Sequence, residues 1–441
     1  MTARADDVPP VKLTIHPMAA PRPSLKYQLL PPFATRIRGN AAVYYGKVTA
    51  ERIAFFSNRE LIEKIDSWRE LPLSELRKPE IKTQTETIED MLARAARCDS
   101  CDWQLPIREE DYFNILLPEV QQTRQFARFL ATSARIHIAR GEFEVALQKF
   151  QSAFALARNV AKGETLINGL VGIAICGIMM PQVQAFVEQP AAPNLYWALT
   201  TLPQPLVDLR AGVEGEMLGE TTCLPEVGNL NADRTPDQWR QLLSQFWQRV
   251  AKAAQNENQQ IEPADALLEN SLRGYPESKQ AMIARGMPVE TVDAMPAAQV
   301  VYLDIVRSFE EARDDRFEWL YVPYWQGVDR LKIDEAAAAD DAGAAALPVK
   351  LLMPAVSAAH HATARIEREF ALLRVVEALR LHGATSGGRL PEHLADVTVV
   401  PLPDDPVTGK EFVYRLEDTT AVIELTPMLG RPTRWEIKME R

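Results

Sequence analysis

The chain has 441 residues, of which 46% are hydrophobic and 25% charged, so its composition is that of a globular protein and excludes overall disorder. Because one hydrophobic core rarely grows beyond roughly 250 to 300 residues, two or more packed units are expected. The net charge of −11 and the lack of a basic stripe argue against a nucleic-acid partner, whose phosphates are bound through Lys and Arg.

The amino-terminal segment is interrupted by prolines, and we predict an extended or disordered leader over residues 1–24. Ala3-Arg4-Ala5, followed by two aspartates, has the small-x-small form of a signal-peptidase cleavage site. This leaves two expectations for localisation: the protein is cytoplasmic as the sequence is written, and it is exported to the periplasm if the start codon lies upstream. A helical domain is predicted over residues 25–382.

The first helices of this domain are predicted from apolar residues at helical spacing over residues 40–56 and 57–71. Ser57 with Glu60 three residues later has the form of a capping box, so the second helix is expected to begin at Ser57. A third helix is predicted over Pro79–Arg97.

The C-D-S-C motif of Cys98 and Cys101 has a spacing that can form a redox disulfide or half of a zinc site. Cys176 and Cys223 provide no second close pair, and no βαβ pattern of the thioredoxin type surrounds the motif. We expect a structural or incidental role for Cys98 and Cys101, with a disulfide in an exported protein and catalysis as the two alternatives. The sequence leaves their redox state open.

Residues 124–158 carry the clearest repeat-like pattern. Small and aromatic residues fall where two antiparallel helices of a tetratricopeptide (TPR) unit must pack closely. These residues are Ala134, Gly141, Phe143, Ala146, Phe150 and Ala153. The hairpin therefore resembles a TPR unit, although Leu130, Ser133 and His137 depart from the consensus and only one such unit is recognisable.

The longest apolar run, residues 169–180, is shorter than the roughly 20 residues that a membrane span requires. We predict a buried helix over Glu164–Met180 that ends at Pro181, followed by a short helix over Pro181–Glu188. No transmembrane segment is expected.

Further amphipathic helices are predicted over Thr235–Asn256, Pro263–Arg273 and Pro276–Arg285. The low-complexity residues 334–346 are assigned to an internal loop. The last long helix is predicted over Pro354–His382, with the following glycine as its C-terminal stop.

His360 and Glu367 share one face of this last helix. Residues two turns apart are separated by about 10 Å along the axis, which is too far for one metal ion, and the H-E-x-x-H spacing of metalloproteases is missing. We therefore expect His360 and His361 to be solvated. The sequence predicts no catalytic, cofactor-binding or metal-binding residue and no cofactor.

Residues 383–441 are predicted to form a small α+β element that packs on the helices. It begins with a short helix in residues 388–397 and continues with a β-hairpin closed at Glu417-Asp418 and a final strand over Arg434–Met439. The D-P-V-T-G-K segment lacks the glycine spacing of a phosphate-binding loop and is assigned to a tight turn. Asp405 in this turn is expected to hydrogen-bond the backbone that follows it.

Three segments, residues 25–48, 101–106 and 372–417, resemble a family of uncharacterised bacterial proteins. These proteins are often exported and have a helical body with a small carboxy-terminal β element. The closing segment is also loosely similar to the tail of type II secretion pseudopilins, whose apolar amino-terminal helix this chain lacks. The resemblance implies an architecture and no activity.

The predicted fold class is mostly α: an array of α-α hairpins, TPR-like and either solenoid or irregular, with a small C-terminal antiparallel β-hairpin or three-stranded sheet. The predicted function is that of a helical-repeat interaction or scaffold protein whose partner is another protein, without nucleic acid or a membrane span.

Two alternatives stay open, namely an enzyme whose site is assembled from distant helices and a structural component of the envelope or of secretion. A deep pocket with converging polar groups of shifted pKa would favour the enzyme. The identity of the partner and the oligomeric state are left open by the sequence.

Overall fold

The computed structural model describes residues 8–83, 85–108, 117–223, 233–256, 261–340 and 354–441. The prediction of a mostly helical protein with a small C-terminal sheet is confirmed, since 61% of the residues are helical. Ala3-Arg4-Ala5 lies outside the described residues.

The helices occupy most of the described chain and are separated mainly by short connections. They are α1 (Ala41–Glu51), α2 (Ile53–Ser57), α3 (Arg59–Trp68), α4 (Leu73–Leu76), α5 (Glu86–Ala96), α6 (Pro118–Ala139), α7 (Phe143–Ala161), α8 (Leu166–Val187), α9 (Tyr196–Thr200), α10 (Arg210–Cys223), α11 (Pro236–Asn256), α12 (Ala264–Arg273), α13 (Tyr275–Ala284), α14 (Val289–Ala294), α15 (Ala297–Phe317), α16 (Tyr324–Asp340) and α17 (Pro354–Thr385). The strands are β1 (Val11–Ile15), β2 (Ile37–Asn40), β3 (Cys98–Ser100), β4 (Val413–Glu417), β5 (Thr420–Glu424) and β6 (Arg434–Met439).

The buried apolar residues of the described chain form two clusters. The larger cluster includes residues of α6, α7, α8 and α17 together with the C-terminal sheet. The smaller one is built from α11 to α15 around Trp239, Phe246, Trp247 and Tyr302. The last turns of α15 join the larger cluster through Phe309 and Phe317.

The hairpin of α6 and α7 turns at Gly141, whose φ is +75°. The amide of Gly141 donates to the carbonyl of Ile138, and that of Glu142 donates to the carbonyl of His137. Helix α8 packs against both helices of the hairpin. The small and aromatic residues of the repeat-like pattern that are fully buried are Ala134, Ala146, Phe150 and Ala153.

Gly141→Ala is expected to lower the free energy of unfolding by about 1 kcal/mol, because a side chain strains the left-handed backbone. A Cβ at this position has no heavy atom within 4 Å, so steric clash adds nothing to that cost. Urea unfolding followed by circular dichroism measures the change. Gly46→Ala in α1 is the matched control, which is expected to stabilise because its glycine is helical and equally open. An unchanged or higher midpoint for Gly141→Ala would contradict the argument.

Helix α8 corrects the prediction of a break at Pro181, since one continuous helix runs over Leu166–Val187 with the proline inside it. Gly177, one turn earlier, has open space around it and carries no side chain against the proline ring. The helix is long and apolar enough to cross a membrane. However, 67% of its most apolar 18-residue stretch is buried within the fold, as in the core helix of a globular protein.

The C-terminal sheet has four strands in the order β1-β6-β5-β4, and β1 comes from the predicted leader. Strand β1 pairs in parallel with β6, from Val11 opposite Trp435 to Ile15 opposite Met439. Part of the expected leader is thus an extended strand within the sheet, and the expectation of a β-hairpin or three-stranded sheet is corrected to four strands. The short strand was missed because its pairing partner lies at the other end of the chain, where no local pattern points to it.

The bounds of several other elements also differ from prediction. Asn58, rather than Ser57, caps α3, because its Oδ1 accepts the amide of Leu61 at 3.1 Å. The turn of the β-hairpin is shifted by one residue, since Glu417 pairs with Thr420 and Asp418 has a φ of +53°. These corrections involve neighbouring residues of similar capping or turn chemistry.

The remaining corrections concern helix ends. Helix α5 begins at Glu86 rather than at Pro79, and α17 continues past Gly383 to Thr385. The predicted short helix in residues 388–397 is a single 3₁₀ turn at Leu394–Asp396. Residues 334–340 of the predicted internal loop belong to α16, and residues 341–346 lie outside the described chain.

Candidate functional site

An open cleft of about 650 Å³ runs along α17, within the range typical of ligand pockets. Its other walls are the α9–α10 connection, the start of α16 and residues 403–406. Leu202, Leu206, Leu320 and Phe370 supply apolar surface, while a few ionisable side chains project among them. Because these walls come from four separate parts of the chain, no local sequence motif predicts the cleft.

One face of α17 lines the cleft with three ionisable side chains, His360, Glu367 and Arg374. They are spaced by seven residues, which corresponds to about 10 Å along the helix axis for each interval. The sequence analysis placed His360 and Glu367 on a common face but did not include Arg374. Arg374 lies seven residues after Glu367, so extending the same spacing by one step identifies it. The three side chains thus form a row about 21 Å long.

Glu367 is largely buried and accepts the amide of Leu206 at 3.0 Å through its Oε1. Burial raises the pKa of Glu367 to about 7, and the hydrogen bond from Leu206 opposes part of that rise. Within the described residues the carboxyl group has no ion pair. At neutral pH the side chain is therefore divided between its neutral and charged forms.

His360 is buried, with 5% of its surface exposed, which corrects the expectation of a solvated histidine. Its ring packs edge-to-face on Tyr324 with the centroids 5.1 Å apart, and Nδ1 has no hydrogen-bond partner among the described residues. Burial lowers the pKa of His360 to about 4, helped by the neighbouring His361. The imidazole is consequently neutral at pH 7 and has one ring nitrogen available.

Arg374 ends the row. Its guanidinium lies 5.9 Å from the ring centroid of Tyr196, within cation–π range. Its Nε is buried without a hydrogen-bond partner in the part of the chain that the structure describes. Arg210, the first residue of α10, is by contrast paired bidentately with Asp208 at 2.6 to 3.0 Å.

The mouth of the cleft carries two exposed aromatic side chains, Tyr321 and Trp325, which are 52% and 45% exposed. Trp325 packs on Gly409, where a Cβ would lie 2.5 Å from the indole ring. The turn that contains Gly409 is held by Asp405, whose Oδ1 accepts the amide of Val407 at 2.9 Å, as the sequence predicted. Arg368 of α17 binds both carboxylate oxygens of Asp405 at 3.0 Å. The rim is thereby fixed to α17.

The C-D-S-C motif lies outside this cleft. Cys98 and Cys101 are free thiols, and burial raises the pKa of both, that of Cys101 to about 12. A raised pKa keeps a thiol protonated and unreactive. Over the described ranges, no group of three His, Cys, Asp or Glu side chains is arranged to hold a metal ion.

Comparison with protein-family models finds no match, and neither a curated protein nor a solved structure matches the chain. The resemblance to uncharacterised bacterial proteins therefore stays a prediction, and the function is argued from the cleft itself.

Proposed function

We propose that the protein is a helical interaction protein whose cleft binds an extended peptide segment of a partner protein. The row from His360 to Arg374 is about 21 Å long. An extended peptide rises about 3.3 Å per residue, so about six residues fit along the row. We include in this proposal the TPR-like character of the α6–α7 hairpin, which α8 and then α17 extend by packing side by side.

The observation that carries the proposal is the row of ionisable side chains that lies between apolar walls and has no ion pairs within the described part of the chain. Polar groups that are buried without internal partners destabilise a free protein by about 1 to 3 kcal/mol each. A ligand with hydrogen-bonding groups at matching positions would satisfy them, and peptide amides and carbonyls recur along an extended chain at regular intervals. The exposed Tyr321 and Trp325 add the aromatic surface that interaction sites favour.

The two ends of the row favour different peptide groups. His360 is neutral and packs on Tyr324 beside the aromatic rim, so this end suits an apolar residue. Arg374 is cationic, and its Nε lacks a partner among the described residues, so this end suits a carboxylate. The proposed ligand is therefore an apolar segment with an acidic side chain or a C-terminus at the Arg374 end.

A random peptide display library selected on the intact chain tests the proposal. Enriched peptides are expected to combine apolar residues with a carboxylate, and Arg374→Met is expected to weaken their binding at least about tenfold, as loss of a charge-assisted hydrogen bond does. Dissociation constants from isothermal titration calorimetry measure this effect.

The controls separate the cleft from the rest of the surface. Thr363→Trp, which places a large ring on the cleft wall, should also abolish binding, whereas Arg59→Met on the exposed face of α3 should leave it unchanged. Peptides whose carboxylate is replaced by an amide should bind wild type and Arg374→Met equally. Enriched peptides that bind all variants with one affinity would refute the proposal.

A second candidate function, enzymatic proton transfer, is favoured by one observation. The pKa of Glu367 is raised to about 7, which suits a general acid or base at neutral pH. Mass spectrometry of a bound peptide after incubation distinguishes the two functions. An unchanged peptide supports binding alone, whereas a modification lost in Glu367→Gln would identify an enzyme.

A further inference from the structure

A second cavity, of about 530 Å³, is lined by five arginines although the whole chain has a net charge of −11. It lies among α6, α8, α17, the end of α3 and the connection between β5 and β6. The arginines are Arg69, Arg128, Arg135, Arg365 and Arg431, and Glu70 is the one acidic residue among the described residues of the lining. We call this cavity the arginine pocket.

Three of these arginines are partly neutralised by carboxylates, which belong to residues in or beside the pocket. These pairs are Arg69 with Glu70 at 3.2 Å, Arg128 with Asp66 at 3.7 Å, and Arg431 with Glu369 at 2.8 Å. Each of these carboxylates offsets one guanidinium, so the positive charge that remains in the pocket comes from the other two arginines.

Arg135 and Arg365 have no carboxylate within ion-pair distance in the described chain. Arg135 donates to the carbonyl of Leu71 at 2.9 and 3.1 Å and to the side-chain oxygen of Gln182 at 3.3 Å, all of them neutral groups. The Nε of Arg365 is buried and has no hydrogen-bond partner among the described residues. From beyond ion-pair distance, the carboxylates of Glu70 and Glu188 favour the charged form of Arg135 and raise its pKa. The carboxylate of Glu369 does the same for Arg365.

Burial lowers the pKa of both Arg135 and Arg365, and the neighbouring Arg431 lowers that of Arg365 further. A guanidinium nevertheless stays charged in a protein, so the fold holds two poorly solvated cations, and that of Arg365 also lies near the like charge of Arg431. A bound anion would supply negative charge to both arginines and a hydrogen-bond acceptor to the Nε of Arg365.

The remaining wall of the pocket belongs to α8 and is neutral. Ile173, Ile178 and Pro181 supply apolar surface, and the Gly177 position is open, with no heavy atom within 4 Å of a Cβ built there. The cavity is far larger than an inorganic anion needs. The geometry therefore suits a molecule with an anionic group among the arginines and an organic body against α8.

We propose that the arginine pocket binds a small organic molecule carrying a phosphoryl group. The planar fork of Arg365, whose Nε has no partner among the described residues, matches phosphate oxygens, which accept two parallel hydrogen bonds from one guanidinium, and Arg135 adds a second positive charge. The site is separate from the cleft along α17 and does not depend on the function proposed for that cleft.

Isothermal titration calorimetry of the full chain at fixed ionic strength tests the inference with three probes: glucose 6-phosphate, inorganic pyrophosphate and citrate. Glucose 6-phosphate is expected to bind with a Kd below about 1 mM, the weak end of specific binding. Arg365→Met should weaken it at least about tenfold, because a charge-assisted contact is lost. Gly177→Leu should do the same without removing any charge, because the new side chain occupies the open position.

Arg59→Met is the matched control, since it removes one exposed arginine that does not line the pocket and should leave the Kd unchanged. Circular dichroism of each variant verifies the fold, and Gly177→Leu keeps the inference testable if Arg365→Met does not fold. The inference is overturned if neither phosphorylated probe binds, if citrate alone binds, or if both pocket variants bind glucose 6-phosphate as tightly as wild type.

Discussion

Replacement of Arg380 by Met is expected to lower the free energy of unfolding by about 3 to 5 kcal/mol, the cost of breaking a buried ion pair. Arg380 and Glu377 are completely buried on α17, and the Nη1 of Arg380 donates to both carboxylate oxygens at 3.0 and 3.1 Å. Without the guanidinium, the carboxylate of Glu377 is left in the core, and among the described side chains only Asn194 donates to it.

The same guanidinium also joins three parts of the fold. Its Nε donates to the carbonyl of His16 at 3.1 Å, directly after β1, and its Nη2 donates to the carbonyl of Ala192 at 2.7 Å, after α8. Loss of Arg380 therefore leaves two backbone carbonyls without their donor as well. The effect is expected to loosen the attachment of the amino-terminal strand to α17.

Urea unfolding measures this loss. Arg59→Met removes an arginine whose side chain is 91% exposed and is expected to change stability very little. The double variant Glu377→Leu with Arg380→Met should be more stable than Arg380→Met alone, because no unpaired charge remains buried. Equal stability of the single and double variants would show that the lone carboxylate is not the cause of the loss.

Glu367→Gln is expected to stabilise the protein by about 3 kcal/mol at pH 8 and to have no effect near pH 4. The pKa of Glu367 rises from its ordinary value of 4.5 to about 7 in the folded state. The folded state thus binds the proton more tightly than the unfolded state. The stability that this proton contributes is complete below pH 4.5 and is lost as the pH rises through 7.

The free energy of unfolding of wild type and of Glu367→Gln, measured from pH 4 to pH 8, tests this expectation. His360, whose pKa is lowered from 6.5 to about 4, costs stability as the pH falls through this interval. Both proteins carry His360, so its contribution cancels in the difference between them. Glu60→Gln on the surface is the matched control, and a difference that does not depend on pH would contradict the burial of the Glu367 charge.

A glutamate that destabilises its own fold at neutral pH is difficult to explain as a structural residue. Stability is commonly sacrificed at sites where a side chain serves a ligand or a reaction. The pH experiment and the peptide experiment therefore approach the same residue from two directions. A Glu367→Gln variant that is more stable than wild type but no longer binds peptide would show that the glutamate lowers stability in order to serve binding.

Local sequence patterns predicted the elements whose residues lie close together in the chain. The hairpin of α6 and α7, helices α11, α12 and α13, and strand β6 were found because their periodicity and turn residues are encoded within one or two dozen positions. Errors arose where adjacent residues compete for one role, as Ser57 and Asn58 do, or where packing overrides a helix breaker, as at Pro181.

The sequence by itself determined the helical class, the α6–α7 hairpin and the tail strands, because hydrophobic periodicity and turn chemistry are local properties. Only the tertiary structure decided the pairing of β1 with β6, the walls around His360, Glu367 and Arg374, and the convergence of the arginines on one pocket. The physical reason is that burial and charge depend on neighbours in space. In this protein those neighbours come from distant parts of the chain, which no local sequence pattern brings together.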